Sequence, residues 1–284
     1  MTASLRSAVL EAGEILRLAD VSDAKRDAAL LLATVLGEEV TYLYREPDRI
    51  LTDEERKRFK GLVVRRAARE PLSHLTGHRE FWSLDFLVSE DVLDPRPDSE
   101  TLIEAVLSSR KRGFNPQRVL DLGTGSGCLL LTILSEIPSA TGVGIDFSAA
   151  ALDVARKNMR RLGMEARTEF HRGNWDLDLG EKFDLVISNP PYISTGDIEE
   201  LQPEVRDFEP HLALDGGTDG LDCYRAILSN IRNILRPGGQ LVFEVGMDQA
   251  QEVGQIMENV GFSSPEFHKD IAAIERCVSA FLRD

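Results

Sequence analysis

Residues 118–131 read RVLDLGTGSGCLLL. A short apolar run carrying one acid, Asp121, gives way to glycines at alternate positions and then to an aliphatic stretch. That is a strand, a tight turn and the start of a helix. Gly123, Gly125 and Gly127 let the backbone turn sharply and come close to a ligand. Their G-x-G-x-G spacing differs from the G-x-G-x-x-G of dinucleotide sites, and no lysine follows to make a phosphate-binding loop. The turn suits a nucleoside held without a phosphate clamp.

From this point the chain alternates. TGVGID (141–146), RTEFHR (167–172), FDLVIS (183–188) and QLVFEVG (240–246) read as further strands. Helical stretches lie near 127–136, 148–162 and 221–235, and residues 262–282 can supply two more strands. The fold class expected is α/β, a doubly wound sheet of parallel strands.

Upstream the period changes. Leu5, Val9, Ala12 and Leu16 recur at helical spacing, and residues 1–70 read as helices throughout. One helix follows a cap at Ser22 and ends at Gly37; another is capped by Thr52 and stops before Pro71. The latter carries seven basic residues between Arg56 and Arg69, read as a solvated face. GHREFWSLDFLVSE (77–90) reads as a linking β-hairpin, and DPRPDSE (94–100) bends into a helix with Asp98 as its cap. The division expected is a small N-terminal helical domain at 1–75, a hairpin linker at 76–95 and the sheet domain at 96–284.

Composition sets limits on function. Of 284 residues 42% are hydrophobic, enough for one large core and a small second unit. No run is long enough to span a membrane, and the N-terminus reads as an amphipathic helix, not a signal peptide. Cys128, Cys223 and Cys277 fit neither a zinc spacing nor a disulfide framework, so a reducing, cytoplasmic location is expected and no metal. The net charge of −15 falls entirely after residue 80, because residues 1–80 hold 14 basic and 14 acidic side chains. An acidic sheet domain is a poor general binder of nucleic acid and better suited to a cationic ligand or basic protein.

Two features carry chemistry beyond the glycine turn. Asp146 ends the second strand, 19 residues after Gly127, where an acid can accept both hydroxyls of a ribose. It could instead cap the helix that follows, as could Ser148. Asp121 could face the cationic end of a ligand or hold the turn through hydrogen bonds. The second feature is Asn189-Pro190-Pro191-Tyr192, delivered by the strand at 183–188 to the same sheet edge. An amide nitrogen is a weak nucleophile because its lone pair is shared with the carbonyl. Methylating one requires its NH₂ group to be fixed by acceptors. The Asn189 side-chain oxygen and the Pro190 carbonyl are the candidate acceptors, the prolines stiffen the corner, and Tyr192 can stack on a flat amide. The corner alone does not choose among glutamine amide, adenine N6, cytosine N4 and guanine N2.

The glycine turn and Asp146 together resemble the S-adenosylmethionine site of Rossmann-like methyltransferases. That resemblance implies a cofactor site built from Asp121, Gly123, Thr124, Gly125, Ser126, Gly127, Asp146, Asn174, Trp175 and Asn189, with Asn174 and Trp175 near the adenine. The stretches 70–107, 119–127, 188–193, 208–228 and 235–253 more specifically resemble the peptide chain release factor glutamine methyltransferase family. HLTG, EFW, PRPD and FEP are the distinguishing pieces, and the likeness runs from about residue 5 to the end. It implies a seven-stranded Rossmann-like sheet and N5-methylation of the glutamine in the Gly-Gly-Gln loop of class I release factors. Asn189, Pro190, Pro191 and Tyr192 would then bind the substrate, with the helical unit contacting the release factor. A monomer that does not bind nucleic acid directly is expected. Ala273 departs from the family, which has glycine there, and puts the geometry of that turn in question. His74 and His78 read as surface or packing residues. The competing readings are a nucleic-acid amino methyltransferase using the same corner on a flipped base, and a cofactor-binding adaptor without activity.

Overall fold

The computed structural model describes residues 4–175 and 179–284, so residues 1–3 of the predicted N-terminal helical stretch lie outside it. The chain divides into two compact units, residues 1–78 with 202–208, and residues 79–201 with 209–284.

The first unit is helical: α1 (Leu5–Leu18), α2 (Ala24–Leu36), α3 (Val40–Arg45), α4 (Asp53–Ala67) and α5 (Leu72–Thr76). Leu5, Leu16, Leu31 and Leu32 are fully buried at its centre. Thr52 opens α4 through a capping box, its hydroxyl accepting from Glu55 N while the Glu55 carboxylate accepts from Thr52 N. Gly37 closes α2 in the left-handed region at φ 68°. The Ser22 cap is corrected. Val21 N returns to Leu16 O at 3.1 Å, burying Val21, and α2 starts after Asp23 with no side-chain cap.

The solvated reading of the basic helix also fails at two positions. Arg66 is buried, donating to Asp27 Oδ2 at 2.8 Å and to Glu204 Oε1 at 3.1 Å. Arg69, just beyond α4, forks onto Glu204 at 2.7 and 2.6 Å. Glu204 comes from residues 202–208, which return to this unit from far along the chain. No local pattern reveals such a partner.

The second unit begins with a hairpin, β1 (His78–Phe81) and β2 (Leu84–Leu87). Trp82 and Ser83 turn it with φ of 52° and 60°. Then follow α6 (Glu100–Lys111), β3 (Arg118–Leu122), α7 (Cys128–Glu136), β4 (Thr141–Asp146), α8 (Ala149–Arg161), β5 (Thr168–Arg172) and β6 (Phe183–Ser188). The short α9 (Pro203–Arg206) belongs to the helical unit. The chain ends with α10 (Asp222–Ile234), β7 (Leu235–Glu244), α11 (Ala250–Asn259), β8 (Glu266–Lys269) and β9 (Glu275–Phe281). The sheet has seven strands in the order β5-β4-β3-β6-β7-β9-β8. β3 to β7 pair in parallel; β9 is antiparallel to both neighbours.

Side-chain alternation assigns the two faces. Leu120 and Leu122 of β3, with Leu241 and Phe243 of β7, join the core under α10 and α11. Val119 and Val242 join the core under α6 and α7. Asp121 and Glu244 lie two residues beyond these last two, so both buried acids point to the α6–α7 face at the carboxyl ends of their strands.

Two local expectations are corrected. Asp98 does not cap α6: Pro97–Ser99 form a 3₁₀ turn running straight into the helix, and Asp98 instead lies 3.5 Å from Arg276. β7 starts at Leu235, earlier than Gln240, with a register shift opposite Phe183 and Leu185. The turn before β9 does place Ala273 in the left-handed region, at φ 64°. Asp270 Oδ1 holds that turn by accepting from Ala272 N and Ile274 N. An alanine there is strained by about 1–2 kcal/mol, of which glycine's extra chain entropy would offset part. Ala273→Gly is therefore expected to stabilise the protein by about 0.5–1 kcal/mol, read as a raised urea midpoint at constant slope. An unchanged midpoint would show that the turn is not strained.

Candidate active site

The glycine turn leaves β3 and enters α7. Gly123 N and Thr124 N both donate to Ile145 O at 2.9 Å, which fixes the turn against β4. Asp121 is fully buried beneath it and accepts from Thr124 Oγ1 at 2.6 Å. Burial pushes the Asp121 carboxyl up to about 7, against the Thr124 bond and helped by the nearby Asp146. Asp121 thus holds the turn. Gly123 is needed for space as well as for its φ of 74°: a Cβ there would meet Trp175 Cη2 at 3.2 Å. The indole lies against the loop.

Asp146 reaches the same loop from β4. Its Oδ2 accepts from Gly125 N at 2.8 Å and its Oδ1 from Ser148 N at 2.8 Å. Burial raises its pKa, against the donors from Ser148, Gly125 and Phe147. The cap of α8 is Ser148, whose hydroxyl accepts from Ala151 N at 3.2 Å. Asp146 is therefore not the cap of α8, and its carboxylate keeps accepting capacity beyond these backbone donors. Asn174 Oδ1 accepts from Trp175 N at 2.9 Å, which sets the start of the segment after β5.

β6 ends one strand away. Ser188 donates to Leu122 O at 2.6 Å, locking the two strand ends together. Asn189 follows, with Nδ2 3.4 Å from Ser99 Oγ. Pro190 is buried. The Tyr192 hydroxyl lies 3.3 Å from Glu244 Oε1, and burial followed by the Glu244 charge raises its pKa, so it stays protonated. The backbone after the corner is held by Gly216, whose N donates to Ile193 O at 2.8 Å. A Cβ on Gly216 would come within 2.8 Å of Pro191 O and Tyr192 Cα, which explains the glycine in the DGG sequence.

These elements surround one cavity of about 380 Å³ in the second unit. Gly123, Thr124, Gly125, Ser126, Asp146, Asn174, Trp175, Asn189 and Pro191 line it. Asp121, Gly127, Pro190 and Tyr192 are not among the residues that line it. Sequence reasoning missed several supports. Asn158, fully buried on α8, bonds Leu87 at both backbone atoms and donates to Ser126 O at 2.9 Å, joining hairpin to glycine loop. Arg96 lines the cavity and donates to the buried Glu209 at 2.5 Å. Burial lifts the Glu209 pKa to about 7 against the Arg96 charge. Glu244 and Ser99 were missed as well. The acid inside the apolar run LVFEVG was the one signal that could have marked Glu244.

Among the described residues no cluster of side chains could hold a metal ion, and no helix is long and apolar enough to cross a membrane. The donor set does fit S-adenosylmethionine. A glycine cradle with an indole against it and a carboxylate with accepting capacity to spare suit a nucleoside.

Residues 7–77 match the family described as PrmC N-terminal domain, and residues 115–275 match a methyltransferase domain. A release factor glutamine methyltransferase of Rhodospirillum rubrum is 44% identical over 265 residues, 93% of this chain and 81% of its own length. One of Agrobacterium fabrum is 39% identical over 280 residues, covering 98% of this chain and 97% of its own. The crystal structure of a methyltransferase from Pyrococcus furiosus superposes with a TM-score of 0.53 at 16% identity, over 72% of this chain and 91% of that one. That likeness is one of fold.

Proposed function

Since the chain belongs to the release factor glutamine methyltransferase family, we propose that it methylates the side-chain amide nitrogen of the glutamine in the Gly-Gly-Gln loop of a class I release factor. The observation that carries this reading is the single cavity lined by both the glycine loop with Asp146 and the Asn189 corner. S-adenosylmethionine, when bound, supplies an electrophilic methyl group. Asp146 would accept from its ribose hydroxyls, Trp175 and Asn174 would hold the adenine, and the loop from Gly123 to Ser126 would hold the methionine end. Asn189 Oδ1 and the Pro190 carbonyl would accept from the glutamine NH₂ and fix its nitrogen for methylation. Pro191 presents a rigid wall to the substrate, while Tyr192 supports the corner from behind through Glu244. No strong base would be required, because an alkylated amide nitrogen is acidic enough to lose its proton to water. Rate acceleration then comes from position and from acceptors already in place.

The protein is proposed to act as a monomer in the cytoplasm. Light scattering tests the first point and fractionation the second.

Incubation with labelled S-adenosylmethionine and a release factor, beside DNA and ribosomal RNA, tests the substrate. Label on the release-factor glutamine is expected. Label on nucleic acid alone would favour the base-methylating reading, and binding of both ligands without product would favour the adaptor. Asp146→Ala is expected to weaken cofactor binding about tenfold to a hundredfold by calorimetry, the loss of hydrogen bonds to a charged acceptor. Unchanged affinity would assign Asp146 to the loop alone.

A further inference from the structure

A substrate amino group needs an acceptor from Asn189, yet a carboxamide has one accepting and one donating end. Something must decide which end faces the cavity. Asn189 Nδ2 lies 3.4 Å from Ser99 Oγ. Ser99 is 3% exposed and lines the same cavity. Its hydroxyl also faces the Glu244 side chain, whose pKa it lowers and which is 1% exposed at the end of β7. Glu244 Oε1 receives Tyr192 Oη at 3.3 Å, and Oε2 has no partner among the described residues.

We propose that Ser99 and Glu244 are positioning residues that set the rotation of the Asn189 carboxamide. A carboxylate at 244 takes the single Ser99 proton, the Ser99 oxygen must then accept from Asn189 Nδ2, and Oδ1 is left for the substrate. The proposal rests on the reading of Asn189 given above.

Proton counting fixes the direction. An ionised carboxylate can only accept, so it claims the serine proton. A protonated Glu244 can donate to Ser99 instead, which sends the serine proton toward Asn189. The carboxamide then turns over and sets one NH₂ group against another. Burial lifts Glu244 to about 7; Ser99 and Tyr192 oppose that rise, as does Arg276, while Asp98 adds to it. Tyr224, Cys128 and Cys277 also face this charge, and each is itself raised by burial and remains protonated near neutral pH. The productive rotation therefore gains as pH rises through neutrality.

The test compares full-length Ser99→Ala, Ser99→Thr, Glu244→Gln and Asn189→Ala enzymes at saturating cofactor and release factor. Ser99→Ala and Glu244→Gln are expected to lower kcat about tenfold to a hundredfold, as misplaced reacting groups do, with cofactor affinity changed by less than about twofold. Glu244→Gln should also lack the wild-type rise of kcat around neutral pH. Ser99→Thr, which keeps the hydroxyl, should recover most of the turnover. In an Asn189→Ala background, Ser99→Ala should have no further effect. Normal kcat in Ser99→Ala, or an undiminished further loss in the Asn189→Ala background, overturns the relay while leaving the Asn189 reading intact. Normal kcat in Asn189→Ala overturns that reading and the relay with it. Should Glu244→Gln fail to fold, the alanine and threonine pair at 99 still decides.

Discussion

Replacing Asn189 with alanine is expected to lower kcat about 10²–10³-fold, the loss seen when one prepositioned hydrogen-bonding group is removed from a transition state. The cofactor should still bind, because Asp146, Trp175 and the glycine loop line the cavity independently of Asn189. Fold should be retained too, since Ser188 and the buried Pro190 keep the strand end in place. Asn189→Asp is the sharper companion. It keeps the accepting oxygen but replaces Nδ2 with a second acceptor facing Ser99, so it should fall between wild type and alanine. Single-turnover rates with saturating cofactor check both variants. Near-normal turnover in the alanine variant would leave the corner without its proposed role.

The second large effect concerns stability. Without ligands, the protein is expected to lose stability as pH rises from about 5 to about 8. Asp121, Glu209 and Glu244 each have a folded pKa of about 7, raised above the unfolded value chiefly by burial. Below the unfolded value the three are protonated in both states, and their contribution is fully present. As pH climbs through about 7 the folded chain must hold buried charges, and that contribution is lost. The ceiling is about 3–4 kcal/mol for each group, before relaxation reduces it. Paired acids act elsewhere: Glu204 is pulled up by burial but held lower overall by Arg69 and Arg66, so it acts only below this window. Glu244→Gln should therefore melt higher than wild type near pH 8 and not near pH 5, while turning over more slowly. Melting curves at both pH values check this. An equal shift at both would remove Glu244 from the explanation.

Much of this site could be read locally, and the reason is physical. A glycine turn between an apolar strand and an aliphatic helix needs no distant information, and neither does a strand that stops at Asn-Pro-Pro. β3, β4 and β6 occupy the residues their patterns assign. What escaped depended on partners remote in sequence. Asp98 looks like a helix cap until Arg276 is beside it. Arg66 and Arg69 look solvated until Glu204 arrives. Ser99 has the appearance of an ordinary helix entry, and its meaning depends on Asn189 and Glu244, which only the assembled sheet brings together. Tyr192 was read as a stacking ring, whereas its hydroxyl is turned to Glu244 and the ring is not part of the cavity lining.

The most direct test is a crystal structure of the enzyme with S-adenosylhomocysteine and a peptide carrying Gly-Gly-Gln. The expected arrangement has the glutamine nitrogen about 2.9 Å from Asn189 Oδ1, with Nδ2 still on Ser99 and the nitrogen facing the cofactor sulfur. A peptide amide bound elsewhere, or an Asn189 side chain turned away from it, would contradict that arrangement.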